Sequence, residues 1–251
     1  PYPYTVGGVF PGGGTGEYFE QLTLLTYLAG MTQQIRLVPS VMIVPHRPAL
    51  LTAKILATLD VLSQGRLTLG VGVGWMEEEF QALGAPPFDK RGAVTNEYLL
   101  AFKELWTSDN PTFNGKYCQF SDVKFLPKPV QKPHPPIWVG GQSRPALRRA
   151  AELGNGWHPV GGIPASPLEP EDMAQNVALL HRYAETAGRD PSELDVSMKT
   201  PLYDIGTTAS GPRRRFSGEI EQILQDVQTY ADVGVTHLIF DIRGSDLNQA
   251  L

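Results

Sequence analysis

Among the 251 residues there is one cysteine, Cys118. An internal disulfide is therefore excluded, and the scarcity suits a reducing compartment. No apolar run approaches the roughly 20 residues of a membrane span, and no basic-then-apolar leader opens the chain. A cytosolic protein with no membrane partner is the expectation. An excess of basic charge is also missing: 26 acidic against 21 basic residues give a formal charge of −5, spread along the chain. No face recommends nucleic acid or an anionic membrane, which leaves a small-molecule substrate as the expected partner. Internal repeats, low-complexity segments and composition shifts are absent. The 41% hydrophobic content is enough for a substantial core, so one domain over 1–251 is expected. An initiator Met is lacking too, and the opening Pro1-Tyr2-Pro3-Tyr4 reads as though in mid-fold.

What is present alternates. After a loop holding Gly12-Gly13-Gly14, helical spacing of Leu22, Leu25, Leu28 and Met31 predicts a helix within Glu17 to Met31. Ile35 to Val44 reads as a buried strand. Pro48 opens a helix that turns Leu51, Ile55, Leu59 and Leu62 inward and stops at Gly65. Arg66 to Val73 is a second strand, Glu77 to Leu83 a helix closed by Gly84, and Ala93 to Trp106 a longer helix. Asn114-Gly115, between alternating aromatic and polar residues, signals a tight type I′ hairpin. Four further strands are expected at Ile137 to Val139, Gly156 to Val160, Leu194 to Lys199 and His237 to Ile242. The intervening helices run over Pro145 to Leu153, Glu171 to Ala187 and Glu219 to Ala231. Six strands separated by helices predict a parallel α/β sheet. A closed (β/α)8 barrel needs two more, which an upstream strand-helix-strand of roughly 35 to 50 residues would supply; the open alternative is a doubly wound sheet.

In a parallel barrel the loops after the strands converge on one face, so residues just past strand ends are the candidates for chemistry. Gly70-x-Gly72-x-Gly74 admits a flat or anionic ligand to the backbone, or else marks a crowded strand end; its spacing is not the dinucleotide fingerprint. Gly140-Gly141-Gln142-Ser143 runs into a helix and offers amides to a phosphate, or forms an ordinary tight turn. Glu77-Glu78-Glu79 stacks negative charge in a first helical turn, where a solvated cap is the plain reading. His46 and His158 lie at strand ends. No pair of histidines has metal-ligand spacing, so no metal is expected, and no Gly-x-Ser-x-Gly elbow supports a hydrolase triad. Arg213-Arg214-Arg215 is a solvated loop cluster or a holder for an anionic tail.

Several motifs in this order resemble the luciferase-like flavin and deazaflavin oxidoreductases. They begin with Arg36-Leu37, Ser40-Val41, Pro48 to Lys54, Leu59-Asp60 and Leu62-Ser63-x-Gly65-Arg66, then Gly70 to Trp75 with Glu78-Glu79-Phe80 and Gly84. Downstream follow Arg91-Gly92 with Glu97, Leu105-Trp106, Gly115-x-Tyr117, Pro127-x-Pro129, Pro135 to Gly141 and Gly154-x-Gly156-Trp157-His158-Pro159. The resemblance implies the (β/α)8 fold with its first β-α-β outside the chain and the hairpin as a small insertion. It implies a non-prolyl cis peptide at Ser40-Val41 under the cofactor ring, with Gly72, Val73 and Gly74 along the ring edge. Gly140 and Gly141 would give amides to the phosphate and Arg91 a charge-assisted contact, with Val139, Trp157 and His158 completing the cofactor set. Tyr2-Pro3-Tyr4 with Pro11 resembles the branch that uses coenzyme F-420, a deazaflavin, so hydride transfer to a small organic substrate is expected. FMN, in a monooxygenase, is the alternative, and a non-catalytic flavin-binding protein the rival from another class. Trp75 stands where some deazaflavin dehydrogenases of the family carry an acid, so Glu78 and His46 are named as catalytic residues on position alone. A homodimer is the expected assembly.

Overall fold

The structure, a computed structural model, describes residues 19–163, 165–201 and 213–241. The chain divides into two compact units, one ending at Pro136 and the next beginning at Ile137.

The first unit opens with α1 (Gln21–Met31), whose N-terminus is capped by the Glu20 carboxylate accepting from the Thr23 amide. Strand β1 (Met42–Ile43) pairs in parallel with β2 (Leu69–Gly72), Met42 facing Val71 and Ile43 facing Gly72. The expected ten-residue strand is thus reduced to two residues, preceded by a single bridge from Leu37 to Leu67. Pro39, which has no amide to give a ladder, and the turn at Ser40-Val41 break the pairing in between.

Helix α2 (Ala49–Leu62) lies where expected, and of the four residues expected inward Leu59 is buried and Ile55 half-buried, whereas the other two are not. Leu51 and Leu62 are exposed, while Ala53, Leu56, Ala57, Leu59 and Asp60 point inward. Small residues let α4 (Arg91–Thr107) approach closely enough for Trp106 Nε1 to donate to the Ala53 carbonyl at 3.0 Å. Asp60 explains itself through Gln131, whose amide and side chain donate to the carboxylate at 3.0 and 2.7 Å and fasten the proline-rich connection. Helix α3 (Glu77–Leu83) ends at Gly84 with φ of 60°, a left-handed cap that glycine adopts without cost.

The hairpin β3 (Phe113–Asn114) and β4 (Gln119–Phe120) is present, but it is not closed by a two-residue turn at Asn114-Gly115. Four residues, 115–118, connect the strands, because the Glu97 carboxylate of α4 gathers the amides of Lys116, Tyr117 and Cys118 at 2.9, 2.6 and 2.6 Å.

The second unit holds four parallel strands in sequence order, β5 (Ile137–Gly140), β6 (Gly156–His158), β7 (Asp195–Pro201) and β8 (His237–Asp241). Helices α5 (Arg144–Leu153), α6 (Pro170–Thr186) and α7 (Ile220–Asp232) follow β5, β6 and β7. Val139, Trp157, Val196 and Met198 from the strands are buried with Leu147, Leu180 and Tyr230 from the helices. Each such side chain contributes about 1.5–3 kcal/mol on leaving water. The six expected parallel strands are therefore two in the first unit and four in the second.

Candidate active site

In the first unit the Ser40-Val41 peptide is cis, as the resemblance implies. It brings Val41 beside β2, where a Cβ on Gly72 would lie 2.8 Å from Val41 Cγ2. Gly74 has φ of +85°, and a Cβ there would lie 2.6 Å from the ring of Phe80. Side-chain space at Gly72 and Gly74 is already filled by Val41, Ile43 and Phe80, so the strand end is crowded on that side. Val73 between them is half-buried.

Arg91, at the start of α4, donates from Nε to the Gly74 carbonyl at 3.2 Å and from Nη1 to the Phe88 carbonyl at 3.0 Å, with its guanidinium stacked 4.0 Å over the Phe88 ring. Its first task is to hold the glycine turn against the helix.

His46 ends a short 3-10 turn, Val44–His46, and meets the Phe80 ring edge-on at 4.9 Å. Its Nε2 is buried with no hydrogen-bond partner among the described residues. Burial pushes the imidazole below its ordinary pKa, Glu79 opposes that shift, and Arg47 adds to it. Arg47 is itself paired with Glu20 at 2.5 Å. Glu78 is exposed on α3, whereas the half-buried Glu79 is the carboxylate whose charge reaches His46. The choice of Glu78 over Glu79 is therefore not supported by the electrostatics.

In the second unit, pairing of β5 with β6 sets Val139 beside Trp157 and Gly140 beside His158. Trp157 is buried, and its Nε1 donates to the Gly141 carbonyl at 2.7 Å, fixing a turn in which Gly141 has φ of +94°. Gln142 then donates to the Val160 carbonyl at 2.6 Å and also to Ser166 Oγ. Ser143 caps α5 by accepting from the Ala146 amide. His158 is 2% exposed, packed with Nδ1 against Ser197 Oγ, and burial, aided by Lys199, lowers its pKa to about 4. It is a neutral imidazole at pH 7 and brings no positive charge to a phosphate. Val139 is in the core, so only its backbone is offered to a ligand.

Sequence reasoning missed Asp226 of α7, which is fully buried. It accepts from both terminal nitrogens of Arg213 at 2.7 and 2.8 Å, from Arg215 at 3.1 Å and from the Phe216 amide at 2.8 Å. Burial alone would raise its pKa, but Arg213, the Phe216 amide and Arg215 hold it below the ordinary carboxylate value. A lone acid at an inward position of an amphipathic helix, downstream of an arginine run, was the available signal. Tyr2-Pro3-Tyr4 and Pro11 lie outside the described residues. Among those described, no helix is long and apolar enough to cross a membrane.

The sequence model of the luciferase-like monooxygenase family matches residues 6–237, and the chain belongs to that family. It is 36% identical over 153 residues to an FMNH(2)-dependent dimethylsulfone monooxygenase of Pseudomonas putida, a match covering 60% of this chain and 42% of that protein. It is 30% identical over 224 residues to an uncharacterised protein of Mycobacterium tuberculosis, covering 88% and 69%. Among solved structures, the F-420-dependent tetrahydromethanopterin reductase of Methanopyrus kandleri superposes with a TM-score of 0.77 at 19% identity, covering 92% of this chain and 84% of that one. A monooxygenase from Streptomyces bottropensis gives 0.76 at 23%, covering 91% and 79%. The fold class is thus α/β, the luciferase-like (β/α)8 barrel, and members of the family are monooxygenases or other oxidoreductases.

Proposed function

We propose that the chain carries out two-electron redox chemistry on a small organic substrate with a flavin-type cofactor, and that its first choice is reduced FMN with dioxygen, a monooxygenase reaction. The support for FMN is the 36% identity to a dimethylsulfone monooxygenase, which outweighs fold likeness at 19% to an F-420-dependent enzyme. Hydride transfer with coenzyme F-420 is the second reading, and what favours it is Tyr2-Pro3-Tyr4. This order reverses the expectation from sequence alone, because identity to a named enzyme bears on cofactor choice more directly than a short loop motif.

One structural observation carries the reading of an occupied site: the buried Nε2 of His46, which has no hydrogen-bond partner among the described residues. Leaving such a nitrogen unsatisfied costs about 1–3 kcal/mol, a cost that a ligand hydrogen bond offsets. When bound, the cofactor ring supplies a pair of electrons. In the first unit, Ser40, Val41 and the Gly72-Val73-Gly74 backbone are assigned to the ring. His46 holds or accepts a proton at Nε2, and Arg91 keeps the Gly74 turn in place. In the second unit, the Gly140 and Gly141 amides are assigned to the phosphate, with Trp157 fixing the turn through the Gly141 carbonyl. His158 is a neutral support.

The test is titration of the apoprotein with FMN and with coenzyme F-420, followed by reoxidation of each reduced complex with and without dioxygen. Binding of FMN with oxygen-dependent turnover meets the first reading. Binding of F-420 alone meets the second, and binding of neither overturns both.

A further inference from the structure

The loop after β6, residues 160–163 and 165–169, is fastened by one side chain of the glycine turn. Gln142 Nε2 donates to the Val160 carbonyl at 2.6 Å and to Ser166 Oγ, and Ser166 Oγ donates to the same carbonyl at 2.7 Å. Ser166 and Ile163 also exchange backbone hydrogen bonds of 2.9 and 3.3 Å. We propose that Gln142 is a positioning residue, through which occupation of the Gly140-Gly141 turn orders the loop after β6. Its role rests on the assignment of the cofactor phosphate to that turn.

Backbone and side chain of Gln142 point to different neighbours. A trans peptide holds its C=O and N–H on opposite sides. The Gly141 carbonyl accepts from Nε1 of the buried Trp157 at 2.7 Å, so the Gln142 amide is directed away from that ring. This amide donates to no group among the described residues, and Gly141 and Ser143 on either side of it are exposed. A phosphate on the turn therefore fixes the backbone of the same residue whose side chain reaches the loop. Ordering a glutamine side chain costs rotamer entropy. With the backbone already held, less freedom remains to be lost when Nε2 closes on Val160 and Ser166. Such coupling is reciprocal, so an ordered loop tightens phosphate binding by the factor with which phosphate orders the loop.

Other bonds shape the loop without reaching the turn. The Gly161 amide donates to the Lys199 carbonyl of β7 at 2.8 Å, and the Gly162 amide to the Pro167 carbonyl at 2.9 Å. The link to the glycine turn runs through Gln142. In a barrel of parallel strands the loops at the carboxyl ends carry binding and chemistry. A cofactor whose phosphate sets this loop arranges the ground that the substrate meets, which makes cofactor before substrate the order of binding.

The test is hydrogen exchange, read by NMR at the amides of Gly161, Gly162, Ile163 and Ser166. It compares the apoprotein with its complexes with FMN and with riboflavin, which shares the ring and lacks the phosphate. In wild type, FMN should slow these amides roughly fivefold, the scale of one or two hydrogen bonds, and saturating riboflavin should not. Gln142→Met keeps the length of the side chain and loses its donors. There FMN should still bind, with a dissociation constant raised by the same factor, and its effect on the loop should be gone. A merely structural Gln142 would instead loosen the loop equally with and without FMN. Equal slowing by FMN in wild type and Gln142→Met, or equal slowing by FMN and riboflavin, overturns the proposal. If wild type takes up coenzyme F-420 alone, the same comparison is made between F-420 and its deazaflavin ring without phosphate. Binding of neither cofactor overturns the functional reading and the proposal together, whereas binding that leaves the loop amides unchanged overturns the proposal alone.

Discussion

The His46 imidazole stands edge-on to the Phe80 ring at 4.9 Å, an interplanar angle of 80°. The same Phe80 ring fills the space that a side chain at Gly74 would need. Histidine orientation and the backbone of the glycine turn are thereby set by one aromatic side chain.

Replacing Gly74 by alanine forces a left-handed residue and a Cβ 2.6 Å from Phe80. The backbone strain alone is about 1–3 kcal/mol. Denaturant unfolding of Gly74→Ala should show a loss in that range or greater, and Phe80→Leu in the same chain should restore part of it. Unchanged stability would mean that the turn relaxes without strain.

If His46 accepts a proton during turnover, its depressed pKa keeps it neutral and competent throughout the neutral range. The rate should fall only below about pH 6.5, the ordinary imidazole value, as the ring takes up a proton. In His46→Gln that acidic limb should vanish and kcat should drop tenfold or more. A profile that keeps its acidic limb in His46→Gln would remove His46 from the proton path.

His158 makes a prediction about stability. Its folded-state pKa of about 4 lies below the unfolded value of 6.5, so the unfolded chain binds the extra proton first. Its contribution is fully present above pH 6.5 and is lost as pH falls toward 4, by roughly 3 kcal/mol. The pH dependence of unfolding should be shallower in His158→Gln by about that amount across the same window. Parallel curves for the two proteins would show that His158 charges without unfolding anything.

Strand and helix order were legible because apolar runs and helical spacing alternate without ambiguity from Leu59 to Phe240. Several places resisted. The face of α2 was legible at Leu59 but not at its ends, because bulky Leu51 and Leu62 suggested a stripe, whereas the close approach of α4 selects Ala53 and Ala57. The type I′ turn at Asn114-Gly115 was displaced by Glu97, a partner too far away in sequence for any local turn rule to include. Of the site, the glycine turns and the cis peptide were visible as motifs. The distinction between Glu78 and Glu79, and the role of Asp226, depends on which side of a helix meets the protein.

Asp226→Ala should be among the most damaging substitutions in the second unit, since it leaves Arg213 and Arg215 without their buried counter-charge. Both arginines are 34% exposed, so the cost is that of the lost charge-assisted hydrogen bonds and the unpaired Phe216 amide, about 1–3 kcal/mol, and it should be read as a lowered Tm in thermal unfolding. Asp226→Asn, which keeps the shape and one acceptor, should fall between it and wild type. A Tm within a degree or two of wild type for Asp226→Ala would show the arginines to be supported from elsewhere.

The Glu97 carboxylate that gathers three consecutive amides of the 115–118 connection has a kinetic consequence. The β3–β4 ladder has only two rungs of its own, too few to slow hydrogen exchange by itself. The amides of Lys116, Tyr117 and Cys118 are released when α4 loosens around Glu97, so they should exchange with deuterium at the rate of that helix and belong to its cooperative unit. A surface hairpin would then report, amide by amide, on the opening of a helix buried beneath it.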